Sequence, residues 1–159
     1  MTDSRSFTWG CCALTLSVFL IARLATGQPV KPDPHGFIAA QLEELTPGDG
    51  ANQVIVAGDP SKPGMYVVRI RFAPGRGSRP HFHSQDRYIT VIKGTWWVAL
   101  GPDSDVYDPN KMVPMKAGSF VKHPAGGHHY DGAKDEEVIV QIIGMGPVTT
   151  TQLNPGPGR

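Results

Sequence analysis

The chain has 159 residues, close to one domain's worth, and its formal net charge of +1 comes without a basic or acidic block. That balance argues against nucleic acid or a charged membrane surface as the partner. Gly and Pro, at 19 and 15 residues, punctuate short apolar runs, which favours an all-β domain with many turns over a helical one.

Residues 1–27 read as an export signal. Arg5 sits in a short polar start, and Phe7 to Ala22 is a largely apolar run, short for a membrane span. Ala25-Thr26-Gly27 then offers small residues ahead of a cleavage before Gln28. An uncleaved anchor is the rival reading, kept open by Arg23 and by Asp3, which offsets Arg5. Export predicts a secreted or periplasmic protein with an extracellular substrate. Cys11 and Cys12 lie inside the same run and follow no lipobox, so the mature domain is expected to hold no disulfide and no thiolate ligand.

Gln28 to Gly36, QPVKPDPHG, is a Pro-rich leader carrying His35, and the domain proper is expected over 37–153. Phe37 to Leu45 fits either a short helix or an edge strand. Gln53–Ala57 reads as a strand, followed by a turn rich in Gly and Pro. Tyr66, Val68, Ile70 and Phe72 alternate with Val67, Arg69 and Arg71, the clearest strand pattern in the chain. After a break at Pro74 to Arg79, Arg87–Ile92 and Thr95–Leu100 read as strands joined by a hairpin at Lys93-Gly94. Pro102–Asn110 is an acidic loop; Asp103, Asp105 and Asp108 lack the glycine and closing glutamate of a calcium loop. Met112–Met115, Ser119–His123 and Glu137–Ile143 complete the core strands. The last is apolar on both faces, which places it centrally or at a subunit contact. Val148–Leu153 is one more extended piece, and 154–159 a tail. About nine short strands at this spacing make a sandwich or barrel.

Two stretches carry chemistry. His81 and His83 lie one residue apart in a β-type segment, so both imidazoles project to one side, half of a transition-metal site. Gly118 to His129 runs through Pro124 and Gly126, a tight turn that returns the chain to a strand at His128-His129. A histidine there can face the same interior as the first pair. His123, just before the turn, is expected to face solvent or a neighbouring strand.

The spacing of these residues resembles the cupin superfamily. Its first motif, G-x5-H-x-H-x3,4-E-x6-G, is matched at Gly75, His81, His83 and Gly94; its second, G-x5-P-x-G-x2-H-x3-N, at Gly118, Pro124, Gly126 and His129. The resemblance implies a small jelly-roll barrel, commonly dimeric, with one metal ion per subunit bound through His81, His83 and His129. Two positions depart from it: the motif's glutamate, usually the fourth ligand, falls on Arg87, and its final Asn on Ala133. A guanidinium has no lone pair for a metal. Gln85 is the preferred substitute ligand, ahead of Asp86 or water. Arg87 is either a structural clamp or a cation beside the metal that holds an anionic ligand. His128, out of phase with His129, is expected to line the entrance. Of Trp96 and Trp97, one indole belongs to the core and the other to a substrate surface or subunit contact, and Tyr130 is a candidate pocket residue.

The three retained histidines favour metal-dependent chemistry, with copper first and iron or manganese next. Compact exported cupins of this kind look similar to copper enzymes that cleave cellulose oxidatively, so oxidative attack on a polysaccharide is the leading expectation. An iron or manganese dioxygenase of small phenolic or enol compounds is the second, and a non-catalytic metal-loaded sugar or effector binder the third.

Overall fold

The computed structural model describes residues 29–48 and 50–153. The expected export signal at 1–27 and the tail at 154–159 lie outside the described residues. Ten strands follow in chain order: β1 (Gln53–Ala57), β2 (Gly64–Phe72), β3 (His81–His83), β4 (Arg87–Lys93), β5 (Thr95–Leu100), β6 (Val113–Lys116), β7 (Phe120–His123), β8 (His129–Gly132), β9 (Val138–Gly146) and β10 (Thr150–Gln152). They form two five-stranded antiparallel sheets, ordered β1-β2-β9-β4-β7 and β10-β3-β8-β5-β6. The inner faces of the two sheets enclose one core built on Tyr66, Val68, Ile89, Val91, Trp96, Val98, Val121, Val138, Val140 and Ile142.

β9 takes the middle of the first sheet, paired with β2 along its whole length and with β4 on the other side, as its two apolar faces predict. The expected hairpin at Lys93-Gly94 is not one. β4 pairs with β7 and β9 while β5 pairs with β6 and β8, so the chain changes sheets at Gly94. Gly94 has φ +74° and sits so close to the Glu137 carbonyl that a β-carbon would lie 2.4 Å from its oxygen. A corner and a two-residue hairpin make the same demand on local sequence; only the partners distinguish them.

Phe37–Leu45 is neither helix nor strand: the described residues there form turns held by bonds such as Glu44 N–H to the Gln41 carbonyl. The described part of the leader ends in a turn closed by Gly36 N–H donating to the Asp33 carbonyl, and Val30 N–H donates to the Ile55 carbonyl on β1. The acidic loop contains two short 3-10 turns, Pro102–Asp105 and Pro109–Lys111.

Register positions the site. On the first sheet, Tyr66 of β2 and Arg87 of β4 both lie opposite Gly144 of β9, and Arg87 lies opposite His123 of β7. On the second, His81 of β3 lies opposite His129 of β8, while Thr150 of β10 lies opposite His83. One row of side chains from each sheet thus meets inside the same end of the barrel.

Candidate metal centre

β3 is three residues long, and its HxH alternation turns both imidazoles inward, as pleating requires. His129 opens β8 after the turn at Pro124 to Gly127, which is tied to β3 by Gly126 N–H donating to the His83 carbonyl at 2.8 Å. His81, His83 and His129 are 6, 3 and 1 % exposed, and their ligand atoms lie within 4.8 Å of one another. Their ring centroids are 4.2 to 5.1 Å apart. Imidazoles sharing one ion at ordinary metal–nitrogen distances have ring centroids about 4–5.5 Å apart, so the spacing fits.

Each ring is also held from behind. His81 Nδ1 lies 2.7 Å from the Arg79 carbonyl and His129 Nδ1 2.9 Å from the Gly127 carbonyl. A carbonyl only accepts, so the proton is on Nδ1 and the Nε2 lone pair is free to ligate. His83 reaches the same tautomer by a different route. Arg87 Nη1 donates to its Nε2 at 2.5 Å, which leaves Nδ1 to donate to the Thr150 hydroxyl at 2.9 Å; the guanidinium thus holds the His83 lone pair, and an ion binding there would displace it. The partners on Nδ1 fix ring orientation and raise ligand basicity.

Electrostatics keep His83 and His129 neutral. Burial, reinforced by the Arg87 charge and the other imidazoles, pushes His83 down to about 2, and burial with neighbouring cations holds His129 at about 3. Arg87 itself is lowered by burial, and among the described residues no carboxylate lies within ion-pairing distance of it. The structural clamp expected for Arg87 is therefore a bond to a histidine, with no salt bridge.

Several expected residues lie elsewhere. Gln85 is exposed in the turn between β3 and β4. Asp86 is turned away: its carboxylate accepts from Ala125 N–H at 2.8 Å and pairs with Lys122 at 2.6 Å, pinning this turn to the one before β8. Tyr130 occupies the opposite face of β8 from His129, and its hydroxyl is spent on the Asp108 backbone, donating to the carbonyl at 2.8 Å. Trp96 is core at 1 % exposure. Trp97 points to the outer side, packs near Ala99, Met112 and Tyr130, and is covered by the Lys134 ammonium 3.6 Å from its ring. The indole pair therefore makes no open platform. His128 does line an opening: its Nδ1 meets Asp105 at 2.5 Å, and with Leu100, Lys122, His123, Pro124 and His129 it bounds a cavity of about 170 Å³.

His123 does not face solvent. It is buried, with its ring centroid 3.7 Å from that of His129, and burial holds it neutral with a pKa of about 2. Its in-phase spacing with the core residue Val121 was the available signal. Asp131 was not singled out at all, although His129 and Asp131 are two apart on one strand and share a face. It is buried, accepts from the Ser78 hydroxyl at 2.9 Å, and groups with His123 and His129 as a second set of potential ligands. Tyr66 completes the surroundings; its phenol adjoins Arg87, and its hydroxyl is buried without a well-formed hydrogen bond.

No family model and no curated protein matches the sequence. Solved structures do resemble the fold. An uncharacterized conserved protein with a double-stranded β-helix domain from Klebsiella pneumoniae superposes with a TM-score of 0.56 at 19 % identity, covering 73 % of this chain and 96 % of that one. A cupin-2 domain protein from Rhodospirillum rubrum gives 0.52 at 12 % identity, covering 65 % of each chain. The DMSP lyase DddQ from Ruegeria pomeroyi gives 0.54 at 13 % identity, covering 67 % of this chain and 53 % of that one, so the present chain spans about half the lyase's length. The chain has the cupin fold that its two motifs imply, and a cluster of three histidines that could hold a metal ion.

Proposed function

We propose that the protein is an exported, mononuclear metal-dependent cupin enzyme acting on a small substrate, with a phenolic or enol compound favoured over a polysaccharide. The observation that carries this reading is the convergence of three back-anchored imidazoles on one buried point. When bound there, a redox-active ion such as copper or iron would supply electron transfer and Lewis acidity with coordination positions left open. The chain's own residues set what reaches it. We take the cavity of about 170 Å³ beside His123 and His129 as the approach to the cluster; it is smaller than a drug-sized pocket and suits a small substrate. The burial of Trp96 and the covering of Trp97 leave no open indole platform to support the cellulose expectation, which rests on export, size and the three histidines. Arg87 favours a substrate that presents an anionic oxygen.

The test has two stages. Elemental analysis of the protein exported in its native state should find one transition-metal ion per chain, lost in His81→Ala, His83→Ala and His129→Ala. Copper-, iron- and manganese-loaded protein should then consume oxidant with phenolic or enol substrates and release no oxidised oligosaccharide from cellulose. Oligosaccharide release would restore the polymer reading. Rearranged or eliminated products without oxidant consumption would move the protein to a lyase or isomerase chemistry.

A further inference from the structure

A divalent ion among His81, His83 and His129 would share the barrel interior with the Arg87 guanidinium, and three neutral imidazoles offset neither charge. The residue that supplies an anion in the resembling motif is the one replaced by Arg87. Inside the same barrel, however, within ligand distance of His129, is a carboxylate with no cation within ion-pairing distance among the described residues. Asp131 is 8 % exposed, and its only hydrogen-bonding side chain is Ser78, whose hydroxyl donates to Oδ1 at 2.9 Å and accepts from the Asp131 N–H at 2.9 Å. Pleating puts it on the face of β8 that carries His129, and its carboxylate interacts electrostatically with both His81 and Arg87.

Resting on the metal reading above, we propose that Asp131 is the anionic ligand of the centre, the carboxylate having moved from the β4 position of the motif to β8. His123 is the competing donor, since it also groups with His129 and its Nε2 is buried without a partner. Its geometry is the poorer one. Ligand lone pairs lie in the ring plane, and a ring centred 3.7 Å from His129 is packed against it more closely than any pair among His81, His83 and His129, which stand 4.2 Å or more apart. Asp131 adds the charge the site lacks, whereas His123 adds none.

Cobalt(II) titration of the full chain, followed by its visible absorption and by calorimetry, separates these cases. The wild type should take one ion. Asp131→Asn should bind at least thirty-fold more weakly with an altered absorption envelope, while His123→Leu should stay within threefold. Asparagine keeps the Ser78 contact, so the metal-free variant should melt no lower than wild type; a purely structural Asp131 would instead lower that melting temperature and leave affinity alone. Wild-type protein labelled with ¹³C at its aspartate carboxylates needs no variant: one equivalent of cobalt should shift a carboxylate infrared band. Equal affinity in Asp131→Asn, or an unshifted spectrum, overturns the ligand assignment while leaving the three-histidine centre standing. Loss of affinity in His123→Leu alone overturns it in favour of His123. A wild type that takes up no stoichiometric ion removes the centre itself.

Discussion

The two walls of the barrel treat their polar residues in opposite ways. On the β10-β3-β8 wall, each histidine of the cluster has a partner behind it: Arg79 carbonyl, Thr150 hydroxyl, Gly127 carbonyl. On the facing β2-β9-β4-β7 wall, Tyr66, Arg87 and His123 form one register row, and the Tyr66 hydroxyl, Arg87 Nε and His123 Nε2 are all buried without a partner. Buried donors left unmade cost roughly 1–3 kcal/mol each. The first wall is organised in advance to hold something; the second is organised so that something must come to it. A barrel built only for stability would have satisfied both or made the second apolar.

The largest expected effect tests whether the interior is truly neutral. Unfolded imidazoles take protons below about 6.5, whereas His83, His123 and His129 are held at about 2, 2 and 3 when folded. The unfolded state therefore binds more protons between those limits, so stability is full above 6.5 and falls as the pH is lowered toward 3. At pH 5 each of the three would cost about 2 kcal/mol in the metal-free protein. Asp131, raised by burial, works in the opposite sense and offsets part of this as it takes up its proton. Urea denaturation at pH 7.5 and 5.0 measures the slope. His123→Leu should remove about a third of it, and an unchanged slope would mean that His123 is not held neutral.

Gly144→Ala tests the register row directly. A β-carbon there would meet the Tyr66 hydroxyl at 2.6 Å and its Cζ at 2.8 Å. Overpacking of this kind costs about 1–3 kcal/mol or more. In a Tyr66→Leu background the same substitution should lose most of its cost, and additivity of the two changes would show that the ring does not lie over Gly144.

How much of this was readable beforehand depended on sequence distance. His81, His83 and His129 declare themselves because HxH alternation and the Pro124-Gly126 turn are local patterns with one structural meaning. The strands follow from period-two alternation, most clearly in Tyr66 to Phe72. Gly94 misled because the corner between sheets and a hairpin need the same glycine. The Tyr66–Gly144–Arg87–His123 row was invisible because it is a property of register among four strands separated by up to 78 residues in sequence. Asp131 and His123 fall between these cases. Their phase with His129 and Val121 was local, but the expected substitute ligands Gln85 and Asp86 drew attention to a turn that the structure holds at the surface.

Thr150→Val tests the anchored wall. It removes the partner of His83 Nδ1 and leaves the ring free to adopt the other tautomer or to turn. Loss of such a partner commonly weakens metal binding 10- to 100-fold, and about tenfold is expected here because β10 still covers β3. Calorimetric titration with cobalt(II) reads it, and unchanged affinity would show that packing, and not the Thr150 hydroxyl, orients the His83 ring.

Tyr66→Phe has the smallest effect and the most informative sign. On the anchored wall, deleting a hydroxyl removes a hydrogen bond and destabilises. On the facing wall the Tyr66 hydroxyl is buried without a well-formed partner, so its removal relieves a desolvated group and leaves the ring packed over Gly144. The metal-free variant is expected to gain up to about 1 kcal/mol in urea denaturation. Under the proposal of an anionic substrate oxygen beside Arg87, the same substitution should raise KM, because the hydroxyl is then one of the donors that the substrate satisfies. A loss of stability with KM unchanged would instead make Tyr66 a structural partner of Arg87, and the difference between the two walls would shrink to the unsatisfied atoms of Arg87 and His123.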